Sequence, residues 1–79
     1  MDDLRARLAS CFSAVFADLS ESEIPRATMT SVADWDSLAT VNLVGVIEEE
    51  FGIQVPPADL EQFVSFEKIL EYLRQQAGA

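Results

Sequence analysis

Residues 35 to 52 read Trp35-Asp36-Ser37-Leu38-Ala39-Thr40-Val41-Asn42-Leu43-Val44-Gly45-Val46-Ile47-Glu48-Glu49-Glu50-Phe51-Gly52, and their reading decides the fold. Asp36 is a good helix N-cap, which leaves Ser37 at the first helical position, and Gly52 is the natural residue to end the helix after Phe51. A strand fits poorly, because residues 41 to 47 do not alternate polar with apolar and three glutamates follow on a helical continuation. At a helical period, Leu43, Val44, Ile47 and Phe51 share one stripe, assigned to the core. Leu38, Val41 and Gly45 form a second stripe, offset by roughly a quarter turn or more. That second stripe is a candidate docking face, unless the two merge into one broad buried face of a central helix.

Working outward, Leu4, Leu8, Cys11, Phe12, Val15, Phe16 and Leu19 recur at three-and-four spacing and predict a first helix over residues 3 to 18. Residues 20 to 36 carry no sustained period. A structureless connection of that length is uncommon in a compact domain, so it is either functional or hides a short turn of helix, with Ile24, Met29 and Val32 tying it to the core. Pro56-Pro57 forbids continuation of the second helix, and residues 59 to 63 suit one short helical turn with Pro57 near its start. Ser65 can cap a last helix whose Phe66, Ile69, Leu70 and Leu73 share one side, ending before Gly78. The expected fold is all-α: a small four-helix bundle with three main helices, one short helix and a long loop between helices 1 and 2, residues 1 to 79 forming a single domain.

Composition narrows the function. With 79 residues the chain has a core but no spare volume for a deep enclosed active site, so self-contained catalysis is not expected. Fourteen acidic against five basic residues give a net charge of −9, which repels nucleic acid and anionic membrane and attracts basic protein surfaces. One cysteine and no histidine exclude an internal disulfide and the usual zinc sites, and fit a reduced compartment. No apolar run reaches a membrane span and the start is acidic, so the expectation is a cytoplasmic protein without signal peptide or stable membrane insertion. An EF-hand calcium sensor fails because no stretch supplies the alternating oxygen ligands of the loop.

Chemistry concentrates at Ser37. A serine at a helix start ordinarily caps or is solvated, but the first-turn amides and the helix dipole also favour an anion there, so a phosphate ester on Ser37 would be stabilised where it is attached. Nothing within the chain would activate its hydroxyl, since histidine is absent and the single lysine, Lys68, lies in the last helix. A serine modified by another enzyme is the consistent reading. Asp36 can cap the helix and also offer charge or a metal-binding oxygen to that enzyme. Glu48, Glu49 and Glu50 sit at the carbonyl end, where the dipole disfavours them, and with Asp36 they frame the apolar strip in negative charge suited to basic partners.

Asp36-Ser37-Leu38, then Leu43, Val44, Ile47, Glu48-Glu49-Glu50-Phe51-Gly52-Ile53 and Val55-Pro56, resembles the acyl carrier protein family through its attachment motif and the whole second helix. The resemblance extends over essentially all 79 residues. It implies that Ser37 carries 4'-phosphopantetheine, transferred from coenzyme A by a magnesium-dependent phosphopantetheinyl transferase, and that the prosthetic thiol, not Cys11, holds an acyl group as thioester. It implies a non-enzymatic, monomeric carrier whose docking residues are Asp36, Leu38, Val41, Asn42, Gly45, Glu48 and Glu49. Its partners would be the transferase, an acyl-acyl carrier protein synthetase or ligase, and a ketosynthase or acyltransferase with basic docking surfaces, in fatty-acid-like, lipid or secondary-metabolite synthesis. The family's bundle can open to shelter an acyl chain, and here Phe12, Phe16, Phe51, Phe63 and Phe66 would occupy much of that space.

Departures from the fatty-acid pattern lie on the docking face. Ala39 stands where Asp is usual, Asn42 where Glu is usual, and Gly45 replaces a protruding methionine. Glycine inside a helix costs about 1 kcal/mol against alanine, so Gly45 is either a tolerated defect or a point of close approach by a partner or a neighbouring helix. Trp35-Asp36-Ser37-Leu38 is similar to specialised stand-alone carriers and to some aminoacyl or peptidyl carriers. An aminoacyl, D-alanyl or peptidyl carrier is therefore the alternative within carriers, and an unmodified helical adaptor is the alternative outside them. Trp35 is expected to cover the end of the core, Cys11 to be a small buried hydrophobe, and Lys68 and Arg74 to be surface charges.

Overall fold

A computed structural model describes residues 3–77. Three α-helices, α1 (Asp3–Val15), α2 (Ser37–Phe51) and α3 (Phe66–Ala77), are joined by segments that each contain a short 3-10 helix, Ile24–Arg26 and Pro57–Gln62. The all-α expectation holds.

Helix α1 is shorter than its periodicity predicts. Phe16 still donates its amide to the Phe12 carbonyl at 2.7 Å, but Leu19 then turns back onto the Phe16 carbonyl at 3.1 Å in a tighter turn. At this exit from the helix the Phe16 ring is buried against Phe12 and Trp35. Beyond it, the long connection hides the short turn that its length suggested. The Glu23 carboxylate accepts the Ser20 amide at 2.9 Å, a bond that holds this carboxyl below its usual range, and Ile24 is buried one residue later. Further on, Met29 donates to the Val64 carbonyl at 2.8 Å and Phe66 to the Ala27 carbonyl at 3.0 Å, forming an isolated antiparallel bridge that ties the loop to the start of α3.

The second 3-10 helix begins and ends earlier than residues 59 to 63. Pro57 has the backbone angle its first turn needs. Phe63 leaves helical geometry (φ −91°, ψ 59°) and drops its ring fully into the core. Tyr72 on α3 donates its hydroxyl to the Asp59 carboxylate at 2.8 Å, and burial with that bond pushes its pKa up to about 12. Ser65 caps α3 by accepting the Lys68 amide at 3.1 Å.

Helix α1 packs on both α2 and α3. At the centre Phe12 meets Trp35 edge-on at 5.4 Å and Phe66 at 5.2 Å, an arrangement in which ring edges face ring π-clouds. Leu8, Leu43, Ile47, Ile69 and Leu70 fill the space around them. Phe51 corrects the expected core stripe, being only partly buried, with the Arg7 guanidinium 4.5 Å above its ring. Cys11 is buried as expected.

Candidate functional site

The start of α2 is built from three residues with different tasks. Asp36 has extended backbone angles (φ −111°, ψ −169°), and its carboxylate accepts the Ala39 amide at 2.8 Å, the bond that makes it the N-cap. Its carbonyl accepts both the amide of Thr40 at 2.9 Å and the hydroxyl of Thr40 at 3.0 Å. Trp35 lies just before the cap, 3% exposed, and its indole N–H donates to the same Thr40 hydroxyl at 2.9 Å. Trp35 thus covers the end of the aromatic core, as expected, and is also bonded to the helix it precedes.

Ser37 is exposed at the first helical position. First-turn amides have no partners inside a helix. That of Ala39 is taken by the cap, and among the described residues no acceptor is found for those of Ser37 and Leu38. A hydroxyl that a second protein can reach therefore stands beside two amide donors and the positive end of a helix dipole. No side chain is found bonded to the Ser37 hydroxyl among the described residues: histidine is absent from the sequence, Lys68 lies on α3, and the neighbouring Asp36 carboxylate is engaged with the Ala39 amide.

The two apolar stripes of α2 do not merge. Leu43, Val44 and Ile47 are buried, whereas Leu38 is 70% and Val41 56% exposed, with Asn42 exposed beside them. Gly45 is partly exposed, and a Cβ built on it would meet nothing within 4 Å. Close approach of a neighbouring helix therefore does not account for Gly45. A groove of about 320 Å³ opens next to Ser37, walled by Met29, Thr40, Val41, Leu60, Phe63 and Val64.

At the other end the three glutamates separate. Glu48 is partly buried and its carboxylate accepts the Val55 amide at 2.8 Å. Glu50 pairs with Arg7 at 2.9 Å, and Arg7 also donates to the Glu50 carbonyl. Glu49 is exposed, with no bond found among the described residues. No group of His, Cys, Asp and Glu among the described residues could hold a metal ion, and none of their helices is long and apolar enough to cross a membrane. Burial pushes the Cys11 thiol up to about 11, aided by the nearby Glu50 charge, so it is protonated and enclosed at neutral pH.

Sequence reasoning placed Asp36, Ser37, Leu38 and Val41 together, and the structure brings them to one end of α2. It gave no role to Thr40 or Arg7. A threonine four residues after a cap can bond back to the cap's carbonyl, and that was the signal available for Thr40. For Arg7, 43 positions from Glu50, no local signal exists.

Residues 6–73 match the family described as "Phosphopantetheine attachment site". The chain is also 29% identical over 59 residues to "Acyl carrier protein" of Thermosynechococcus vestitus, covering 75% of this chain and 73% of that protein. It is 48% identical over 44 residues to "Acyl carrier protein, mitochondrial" of Neurospora crassa, a match that takes in 56% of this chain and 33% of that longer protein.

Proposed function

The chain belongs to the phosphopantetheine-attachment family of acyl carrier proteins, and from that premise we propose that Ser37 is the residue that bears the arm and that α2 is the face presented to partner enzymes. The family's prosthetic group is covalent 4'-phosphopantetheine, whose terminal thiol supplies a thioester linkage for an acyl cargo. The residues present fit it. An exposed hydroxyl at the first helical position, next to two amides without an acceptor, suits a phosphodiester, and this single observation carries the reading.

What the chain's own residues contribute is placement. Asp36 fixes the helix start and leaves Ser37 outward; having no internal base, Ser37 waits for a transferase to remove its proton. Cys11 stays out of the chemistry because it is buried and protonated. Leu38 and Val41 offer apolar contact beside the attachment point, and Asp36 and Glu49 offer charge to a basic surface. A tethered cargo is confined to a small volume around Ser37, so each docked enzyme meets it at high effective concentration while the carrier adds no rate enhancement of its own. Partners of this kind are the transferase, an acyl-loading synthetase or ligase, and a ketosynthase or acyltransferase of lipid or secondary-metabolite synthesis. Cytoplasmic residence belongs to the same reading.

The docking face favours one variation. With Ala39 and Asn42 in place of two acids, its exposed centre is apolar and neutral, which also suits an aminoacyl or peptidyl carrier. Thioester species trapped from cells separate the two.

The test is intact mass and thiol titration after incubation with coenzyme A, magnesium and a phosphopantetheinyl transferase. The wild-type chain is expected to gain one prosthetic group and one fast-reacting thiol, and Ser37→Ala to gain neither. No gain with several transferases, or an undiminished gain in Ser37→Ala, overturns the assignment.

A further inference from the structure

Thr40 is a buried polar residue of the core, 7% exposed, and its hydroxyl is used twice: it accepts the Trp35 indole N–H at 2.9 Å and donates to the Asp36 carbonyl at 3.0 Å. We propose that Thr40 and Trp35 are positioning residues for modification at Ser37, a relay that fixes the first turn of α2 to the aromatic core so that the serine hydroxyl is held at a set place for the incoming phosphoryl group. The proposal rests on the reading of Ser37 as the attachment point.

Three features of the geometry support it. Residues bonded by the relay flank the serine on both sides: Trp35 and Asp36 precede it, and Thr40 follows one turn later. The relay is redundant for the helix itself, because the Asp36 carbonyl already accepts the Thr40 amide at 2.9 Å and the cap already holds the Ala39 amide. What the hydroxyl adds is a link from the helix start to a ring that cannot shift easily, since Trp35 packs edge-on against Phe12 and tilted against Phe16, both centroids at 5.4 Å. The Thr40 hydroxyl, engaged as both donor and acceptor, is held in one rotamer and fixes the backbone on either side of Ser37, and a nucleophile mounted on a fixed backbone spares the reaction part of the entropy of finding it.

A polar residue under a helix start can also be there only for stability, and the test separates the two roles. Steady-state kinetics of transfer from coenzyme A, with the apo carrier as the varied substrate, are measured for Thr40→Val, Thr40→Ser and the double variant Trp35→Phe with Thr40→Val. The double variant removes donor and acceptor together, so no buried N–H is left without a partner. Thr40→Val is expected to lose about tenfold in kcat with KM unchanged, since the docking face is intact. Thr40→Ser, which keeps the hydroxyl, is expected to retain wild-type kcat. The double variant is expected to melt as one cooperative unit and still show the reduced kcat. In the wild type the Trp35 indole N–H is expected to exchange slowly with solvent deuterium, and faster in Thr40→Val.

Wild-type kcat in Thr40→Val overturns the relay, as does recovery of kcat in the double variant, which would mean that the single change acted through stability. Neither result touches the attachment assignment, which stands or falls separately on Ser37→Ala.

Discussion

The two ends of α2 solve opposite problems. At the start, every bond made by Asp36 and Thr40 is turned toward the chain, through the Ala39 amide, the Asp36 carbonyl and the Trp35 indole, and the Ser37 hydroxyl is left outside. At the finish, most polar groups are consumed by the chain, Glu49 excepted: Glu48 holds the Val55 amide, Glu50 holds Arg7, and the Gly52 amide satisfies the Glu48 carbonyl at 2.9 Å. The lesson is that equal-looking polar residues on one helix are not equally available. A phosphoryl acceptor needs a rigid support beneath a free surface, whereas a glutamate run at a carbonyl end repels the dipole unless something is done with it.

The largest effect is expected where the finish depends on backbone shape. Gly52 has φ 64°, ψ 38°, a left-handed geometry that terminates α2. A Cβ there meets nothing within 4 Å, so Gly52→Ala carries only the conformational cost, about 1 to 2 kcal/mol, read as a lower urea midpoint at unchanged slope. Transfer to Ser37 at a temperature where the variant is folded is expected to be unchanged. A proportional fall in transfer would show that the two ends are not independent, and the contrast between them would fail.

A smaller loss is expected at the start. Asp36→Ala removes the cap and is expected to cost about 1 kcal/mol. Asp36→Asn caps nearly as well and is expected to restore stability, but not transfer, because the neutral amide no longer offers charge to a basic transferase. Wild-type transfer in Asp36→Asn would reduce Asp36 to a cap alone.

How much was legible follows the range of the interactions. Cap, helix and stop in α2 are written in adjacent residues, and the sequence stretch from Asp36 to Gly52 placed all three correctly, together with the exposed Leu38 and Val41, while the period of α1 placed the buried Cys11. The failures are of another kind. The early end of α1 was hidden because the apolar period runs on through Phe16 and Leu19, and their burial continues it although the chain turns back onto the Phe16 carbonyl. The fate of Glu50 was hidden because its partner Arg7 lies 43 positions away, and that of Glu48 because the fold-back of the chain after Gly52, which brings the Val55 amide to it, has no periodic signal. Phe51 looked like core by period, and only the structure sets it beneath a guanidinium at the bundle's edge.

The smallest effect concerns that guanidinium and tests what partners read. Arg7 and Glu50 are 46% and 43% exposed at their side chains, so their pair is screened by solvent, and Arg7→Met is expected to cost less than about 1 kcal/mol at low salt and still less at high salt. Its effect on recognition has the opposite sign. Releasing Glu50 leaves two exposed acids of the run, Glu49 and Glu50, without an ion-pair partner and makes the carrier one unit more negative, so a basic partner that senses this end should bind the variant better. The expected result is a KM for the transferase lowered by roughly twofold at low ionic strength, the difference vanishing near 0.5 M salt, where the Debye length is only a few ångströms. An unchanged KM at low salt would mean that partners read the start of α2 alone, through Asp36, Leu38 and Val41. The glutamate run would then be a feature of the fold, held in place by Arg7 and the Val55 amide, rather than of the docking surface.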